Sequence, residues 1–150
     1  MFKFFKFDLL SDGEIDLSIN LNKVGDETLG YLPAYHYNIK EHGMHEVVGQ
    51  IDIRIGHNIN TFYGGNIGYG IEEGYRGKGY AAKAVLLLKN VARKHHLKEV
   101  IITCNPDNLA SRKTAEKAGG ILLEIVDLPE DNEMYKLGER QKCRYELSIE

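Results

Sequence analysis

"GYRGKGYAAKAVLLLKN", residues 74–90, decides the fold of this chain, because it runs a basic, glycine-rich turn straight into a helix. Apolar side chains at Ala81, Ala84, Val85, Leu88, Val91 and Ala92 recur at the spacings of one buried helical stripe, which predicts a helix from Tyr80 to His96. Arg93, Lys94, His95 and His96 place positive charge at its negative dipole end. Gly77, Gly79 and Ala82 spell G-x-G-x-x-A, a dinucleotide-binding pattern. The first N–H groups of any helix lack an intrahelical partner and can face an anion, and glycine lets that anion approach the backbone. Arg76 and Lys78 add compensating charge. The turn reads either as a phosphate cradle or as a tight turn before a helix.

Context removes two of the nucleotide folds. A Rossmann unit carries this motif after its first strand and an acidic residue at the end of the second, about 20 positions on. Here several strands precede the motif, and Glu99, at the right distance, begins its strand instead of ending it. The remaining chain is also too short for a doubly wound sheet. A P-loop is excluded because Gly77-Lys78-Gly79 lacks the GK[ST] ending.

The chain has 150 residues, with 19 Lys and Arg against 22 Asp and Glu and a formal net charge of −3. One domain over 1–150 is the simplest reading at this length. The balanced charge argues against nucleic acid or an anionic membrane surface as a partner, both of which need a basic face. No apolar run approaches the roughly 20 residues of a membrane span. The opening MFKFFKFDLLSDG lacks the long apolar core and small-residue cleavage site of a secretory signal. Cys104 and Cys143 are the only cysteines. They form no CxxC pair, so neither a disulfide framework nor a cysteine zinc site is indicated, and the expected compartment is the cytoplasm. His36, His42 and His45 show no metal-ligand spacing.

Elsewhere the pattern is mixed α/β, strand-rich first and β-α-β-α-β behind it. Residues 4–10 and 14–21 suggest a hairpin around Ser11-Asp12-Gly13, and residues 22–45 read as loops with a short helix. "EVVGQIDIRIG" is a strand with a bulge at Gly49, "HNIN" a turn, and "FYGGNIGYGI" another strand. "EVIITC" is a continuous apolar run expected to be covered on both faces. Asp107 or Asn108 caps a helix through about Ala118, ended by Gly119-Gly120. "ILLEIV" and "KCRYELSI" are the last strands, with residues 128–141 irregular between them.

Arg76-Gly77-Lys78-Gly79-Tyr80-Ala81 matches [Q/R]-x-x-G-x-[G/A], and thirty residues on "NPDNLASRKTAEKAGG" follows N-x-x-S…E-K-x-G-F. In this order the two blocks resemble the GNAT N-acetyltransferases. A G-G-x-I-G-Y strand (Gly64 to Tyr69) and the Arg144-Tyr145 pair are similar to one bacterial group of predicted acetyltransferases. The resemblance implies a GNAT fold, with a central, mostly antiparallel twisted sheet, a splayed parallel pair and flanking helices. It implies acetyl-CoA as cosubstrate, no metal, and an amine acceptor, either a small molecule or a peptide; a homodimer is a family-level expectation. The backbone near Ile71 and Glu73 would hold the pantetheine arm, and amides from Arg76 through Gly77, Lys78, Gly79 and Tyr80 to Ala81 the pyrophosphate. Asn108 and Ser111 would lie near the pantetheine, and Arg112 or Lys113 would meet a phosphate of the coenzyme.

The reaction so implied is attack of a neutral amine on a thioester, without an enzyme nucleophile. Cys104 is accordingly read as a core residue. An alkylammonium of pKa about 10 must first lose a proton. Glu72 is the most obvious acceptor, Tyr69 and Asn66 could orient substrate or water, and His57 lies in a turn that could face the cleft. Two positions depart from the family pattern. Ala115 stands where many members carry the Tyr that protonates the leaving thiolate, with Tyr135 and Tyr145 as unranked substitutes, and Gly120 stands where a Phe is common. The missing acid keeps open a second reading, a non-catalytic acyl-CoA sensor.

Overall fold

The computed structural model describes residues 2–150. Of the domain expected over 1–150, Met1 lies outside the described residues. Eight strands and four α-helices follow in the order β1 (Leu9–Ser11), β2 (Ile15–Lys23), β3 (Ala34–Glu41), β4 (Val47–Arg54), α1 (Ile59–Gly64), β5 (Ile67–Ile71), α2 (Tyr80–Lys94), β6 (Glu99–Cys104), α3 (Leu109–Lys117), β7 (Ile121–Asp127), α4 (Glu133–Lys136) and β8 (Gln141–Ser148). Strands β1 to β5 form one antiparallel sheet in chain order, and β6-β8-β7 form a second, with β8 in the middle. The class is mixed α+β, as the sequence pattern indicates.

The first sheet is amphipathic. Ile15 and Leu17 of β2, Tyr35, Tyr37 and Ile39 of β3, and Ile51 and Ile53 of β4 are buried. They form one apolar cluster with the α2 stripe Ala84, Val85, Leu88, Val91 and Ala92. Period-2 and period-3.6 patterns thus meet across one layer boundary. The β1–β2 turn is held by Asp12, whose carboxylate accepts the Glu14 and Ile15 N–H groups, both at 2.8 Å. In β4 the register skips Val48 opposite β3, beside the expected bulge at Gly49. A Cβ on Gly49 would lie 2.6 Å from the Gly70 carbonyl, so the β4 and β5 backbones can approach only over glycine there.

Three elements differ from the sequence reading. The strand expected over 4–10 is confined to Leu9–Ser11. The preceding phenylalanines pack irregularly, Phe4 edge-on to Tyr35 and Phe2 stacked on His95. The loops expected over 22–45 contain β3, whose inward side chains are mostly aromatic and so looked like loop composition. A short helical turn at Glu27–Leu29 does occur there. Finally, "HNIN" opens α1: Asn58 Oδ1 accepts the Thr61 N–H and Thr61 Oγ1 accepts the Asn58 N–H, a capping box. The following strand therefore begins only at Ile67, after Gly65 takes φ +77°.

The two sheets meet where Asn66, just before β5, touches β6. The Asn66 N–H donates to Ile101 O at 2.6 Å and Asn66 Oδ1 accepts the Ile101 N–H at 2.8 Å. Asn66 Nδ2 donates to Arg54 O and Gly56 O. Beyond this joint β5 and β6 belong to separate sheets. In the second sheet Cys104 of β6 lies opposite Cys143 of β8, and both are free, buried thiols. Burial, and then the neighbouring Cys143, push the Cys104 thiol up to about 11. It is protonated at neutral pH, in keeping with a packing role. No helix among the described residues is long and apolar enough to cross a membrane.

Candidate active site

Two clefts flank β5. One, of about 610 Å³, lies between β5, the 75–82 turn and α3, and is lined by Tyr69, Gly70, Ile71, Tyr75, Arg76, Gly77, Gly79, Ala81, Asn108, Ser111, Lys113, Thr114 and Lys117 among others. The other, of about 490 Å³, lies over the sheet face away from α2 and is lined by Asn20, His36, Gln50, Asp52, Gly68, Tyr69, Gly70, Ile71, Glu72 and Arg76 among others. Tyr69, Gly70, Ile71 and Arg76 belong to both. A short length of β5 backbone is thus the common wall of two openings.

The first cleft is built for an anion at one end. Gly77 and Gly79 take φ +82° and +78°, a region that favours glycine, so the turn fixes both identities. Among the described residues the N–H groups of Gly77, Lys78 and Gly79 donate no hydrogen bond. The first amides of α2, from Tyr80 and Ala81 on, follow directly. Lys117 Nζ would lie 2.6 Å from a Cβ on Gly79, so this ammonium stands over the turn. Lys117 escaped the sequence reading, although the spacing Lys113–Lys117 places both on one helix face. Thr114 and Tyr75 escaped it too. Lys78 is directed elsewhere, 3.9 Å from Glu41 and near the Tyr75 and Tyr80 rings. Tyr80 is itself buried, with its hydroxyl on Glu41. Arg76 folds back, its Nε donating to Ile71 O at 2.9 Å.

The middle of this cleft is bounded by α3. Asn108 caps it, accepting the Ser111 N–H at 3.1 Å, so its side chain serves the helix as well as lining the cleft. Tyr69 crosses from β5 and donates its hydroxyl to Ser111 O at 3.2 Å. Burial, chiefly, raises the Tyr69 phenol to about 12, so it keeps its proton throughout the neutral range. Ala115 is wholly buried beneath α3. Tyr145 is buried too, its hydroxyl held by Arg112 and Glu116, and Tyr135 lies under the Arg140 guanidinium. Neither borders the cleft, whereas Tyr69 does. Gly120 has its own reason: a Cβ there would lie 2.8 Å from Ala115 O.

The second cleft owes its depth to glycine. On β5, Gly68 and Gly70 alternate with Tyr69 and Ile71, so one face of the strand is bare backbone. A Cβ on Gly70 would meet nothing within 4 Å. Strand register sets Gly68 opposite Asp52, and Asp52 opposite His36 of β3. Neither His36 nor Asp52 was singled out as a reaction candidate from the sequence, though the alternation in "QIDIR" already puts Gln50, Asp52 and Arg54 on one face. Glu72 is exposed at the mouth, its N–H donating to Val48 O, and Glu73 is exposed in the helical turn that follows. Asn66 lines neither cleft; it is fully buried, with its side-chain N–H groups and Oδ1 engaged in the joint between the sheets. His57 sits elsewhere, 3.9 Å from Glu99. Among the described residues no group of three His, Cys, Asp or Glu side chains is placed to hold a metal ion.

Comparison with known proteins follows this geometry. Residues 18–121 match the family model described as the acetyltransferase (GNAT) domain. No curated protein matches the chain. Among solved structures, the microcin C7 self-immunity acetyltransferase MccE, in complex with acetyl-CoA and AMP, is 22% identical with a TM-score of 0.60, covering 77% of this chain and 61% of that one. The ribosomal-protein-S5-alanine acetyltransferase of Vibrio fischeri is 18% identical with a TM-score of 0.61, covering 78% and 62%. A Vibrio cholerae protein proposed to be a ribosomal-protein-serine acetyltransferase is 15% identical with a TM-score of 0.65, covering 93% and 97%. The chain thus spans less than two thirds of the first two and nearly all of the third, and at these identities the likeness is one of fold. The matched family model covers well over half of the sequence, and the chain belongs to the acetyltransferase (GNAT) domain family.

Proposed function

We propose that residues 1–150 act as one acetyl-CoA-dependent N-acetyltransferase domain of the cytoplasm. The observation that carries this reading is the stretch Tyr69–Ile71, which walls two clefts at once. A donor held on one side and an acceptor on the other would meet at that backbone, where proximity replaces a bimolecular encounter.

Acetyl-CoA supplies the acyl group already activated as a thioester. The free amides of Gly77, Lys78 and Gly79, the first amides of α2, and the ammonium groups of Lys113 and Lys117 fit a pyrophosphate and a further phosphate. The β5 backbone at Ile71 offers hydrogen bonds to an extended amide-bearing arm in the manner of an added strand. Asn108 and Ser111 border the same path. Tyr69, protonated and reaching to Ser111, is the donor best placed to hand a proton to a departing sulfur, a task Ala115 cannot perform. An amide of β5 near Ile71 supplies the oxyanion contact.

The acceptor is an amine, and the open, polar second cleft, with the acidic groups Asp52 and Glu72, favours a cationic one. A peptide amine is the class we favour, in line with the ribosomal-protein acetylation named for two of the similar structures. Buried Ala115 supports the second reading, an acyl-CoA sensor without turnover. Thiol release from acetyl-CoA, followed across alkylamines and unblocked peptides, separates the two. Turnover with at least one amine is expected; calorimetric CoA binding without turnover on any would leave only the sensor.

A further inference from the structure

One row of the first sheet crosses the floor of the second cleft. Register places His36 opposite Asp52 and Asp52 opposite Gly68, so three adjacent strands present an imidazole, a carboxylate and bare backbone in line. His36 Nδ1 is 3.7 Å from Asp52 Oδ2, and Asp52 Oδ1 accepts the Gly68 N–H at 3.3 Å. One carboxylate oxygen is therefore anchored to β5, while the other is left for the imidazole and whatever enters. Both side chains are half-buried, and both line the cleft. His36 also lines a neighbouring cavity of about 440 Å³ beside the 29–34 segment and α4, so it borders both openings.

We propose that Asp52, backed by His36, is the proton acceptor for the incoming ammonium, an inference that rests on the acetyltransferase reading above. The step balances as follows. The ammonium passes one proton to the Asp52 carboxylate, directly or through one water, and its freed electron pair forms the C–N bond to the acyl carbon. The C–S bond breaks with its electron pair on sulfur, which takes up a second proton as the amide forms. The proton on Asp52 leaves by way of His36 to solvent. Per turnover one thiol, one amide and one solvent proton result.

The charged groups facing this pair are Lys23, Arg54, Glu72, Arg76, Asp131 and Glu133. Arg54 and Arg76 are occupied with the carbonyls of Gly65 and Ile71. Glu72 stands exposed at the mouth, so it can attract a cation, whereas Asp52 lies on the inner strand next to the shared wall.

The test compares wild type, Asp52→Asn and His36→Gln on acetyl-CoA with two acceptors, the peptide Ser-Ala-Ala-Ala and methoxyamine. At pH 7 the peptide amine is largely protonated, whereas methoxyamine, a far weaker base, is neutral. Asparagine keeps the oxygen that accepts the Gly68 N–H, so the fold should survive, as a melting curve would verify. Asp52→Asn should lower kcat on the peptide by roughly a hundredfold or more, with KM for acetyl-CoA unchanged. Its deficit should shrink by about tenfold per pH unit up to the amine pKa, as solvent takes over the deprotonation. Methoxyamine transfer should fall less than about threefold, and His36→Gln should show the same pattern more weakly. Equal losses on both acceptors at every pH, or no loss on the peptide, would overturn the assignment. No turnover of either acceptor by wild type would instead remove the acetyltransferase reading, and this one with it.

Discussion

Gly70 is the residue at which the two clefts come closest to being one. Its backbone belongs to the shared wall, and its missing side chain leaves open space there. Its φ lies outside the left-handed region, so a larger residue can be installed without backbone strain. Gly70→Val should therefore fold normally and bind CoA as wild type does, while KM for the amine rises by roughly tenfold or more. Isothermal titration with CoA and steady-state kinetics would show the split; a parallel loss of CoA affinity would mean that the side chain enters the other cleft. At this scale the sequence was legible where spacing carries geometry. Gly77 and Gly79 could be read as a tight turn before a helix, and both take φ above zero there. His36 and Asp52 were obscure, because sixteen residues separate them and only strand register makes them neighbours. Asn66 shows the opposite difficulty: a polar residue beside a site-bearing strand looks available until its hydrogen bonds are known.

Among the elements, α2 could be read from the sequence because it declares its buried stripe within a single window of residues, and α3 because a capping residue and a glycine pair mark its two ends. Strand β3 could not, since the inward positions Tyr35 and Tyr37 are aromatic hydroxyl residues set among Asn, His and Pro. Helix α1 was hidden by its brevity, although Asn58 and Thr61 spell its cap. The entry to β8 is controlled by a charge pair of similar compactness: buried Lys142 donates to Glu139 Oε1 at 2.7 Å. That hydrogen bond, chiefly, holds the Glu139 carboxyl below its ordinary value of 4.5. A carboxyl depressed in the folded state stabilises above its unfolded pKa and stops doing so as pH falls through the folded value. Glu139→Gln should accordingly cost on the order of 2 kcal/mol at pH 7, by leaving a buried ammonium without its anion. Urea unfolding at pH 7 and again below pH 4.5 would check it, with the difference from wild type shrinking in acid.

For the molecule as a whole, the decisive contact is the joint at Asn66. It ties β6 to β5 and to the 54–56 turn at one point and leaves the strands free to diverge beyond it, which is where the cleft beside α3 opens. Asn66→Ala would strand the Ile101 N–H and the Arg54 and Gly56 carbonyls in the interior. A loss on the order of 3 kcal/mol is expected in chemical denaturation, accompanied by weaker CoA binding because the wedge between the sheets is no longer fixed. Unaltered stability would show that the sheets are held by packing alone.

The order of strands in the second sheet has a consequence for how the chain reaches this shape. In the first sheet every strand pairs with its predecessor, so pairing can advance as residues emerge from the ribosome. In the second, the last of these strands is the central one, and β6 and β7 have no partner within their sheet until β8 slides between them. During synthesis the α2 stripe can already lie on a finished meander while β6 and β7 wait with open edges. The apolar side chains Ile121, Leu123 and Ile125 of β7 remain exposed even afterwards. The interval before β8 arrives is thus the period in which a nascent copy is most open to capture by a chaperone or by another unfinished chain.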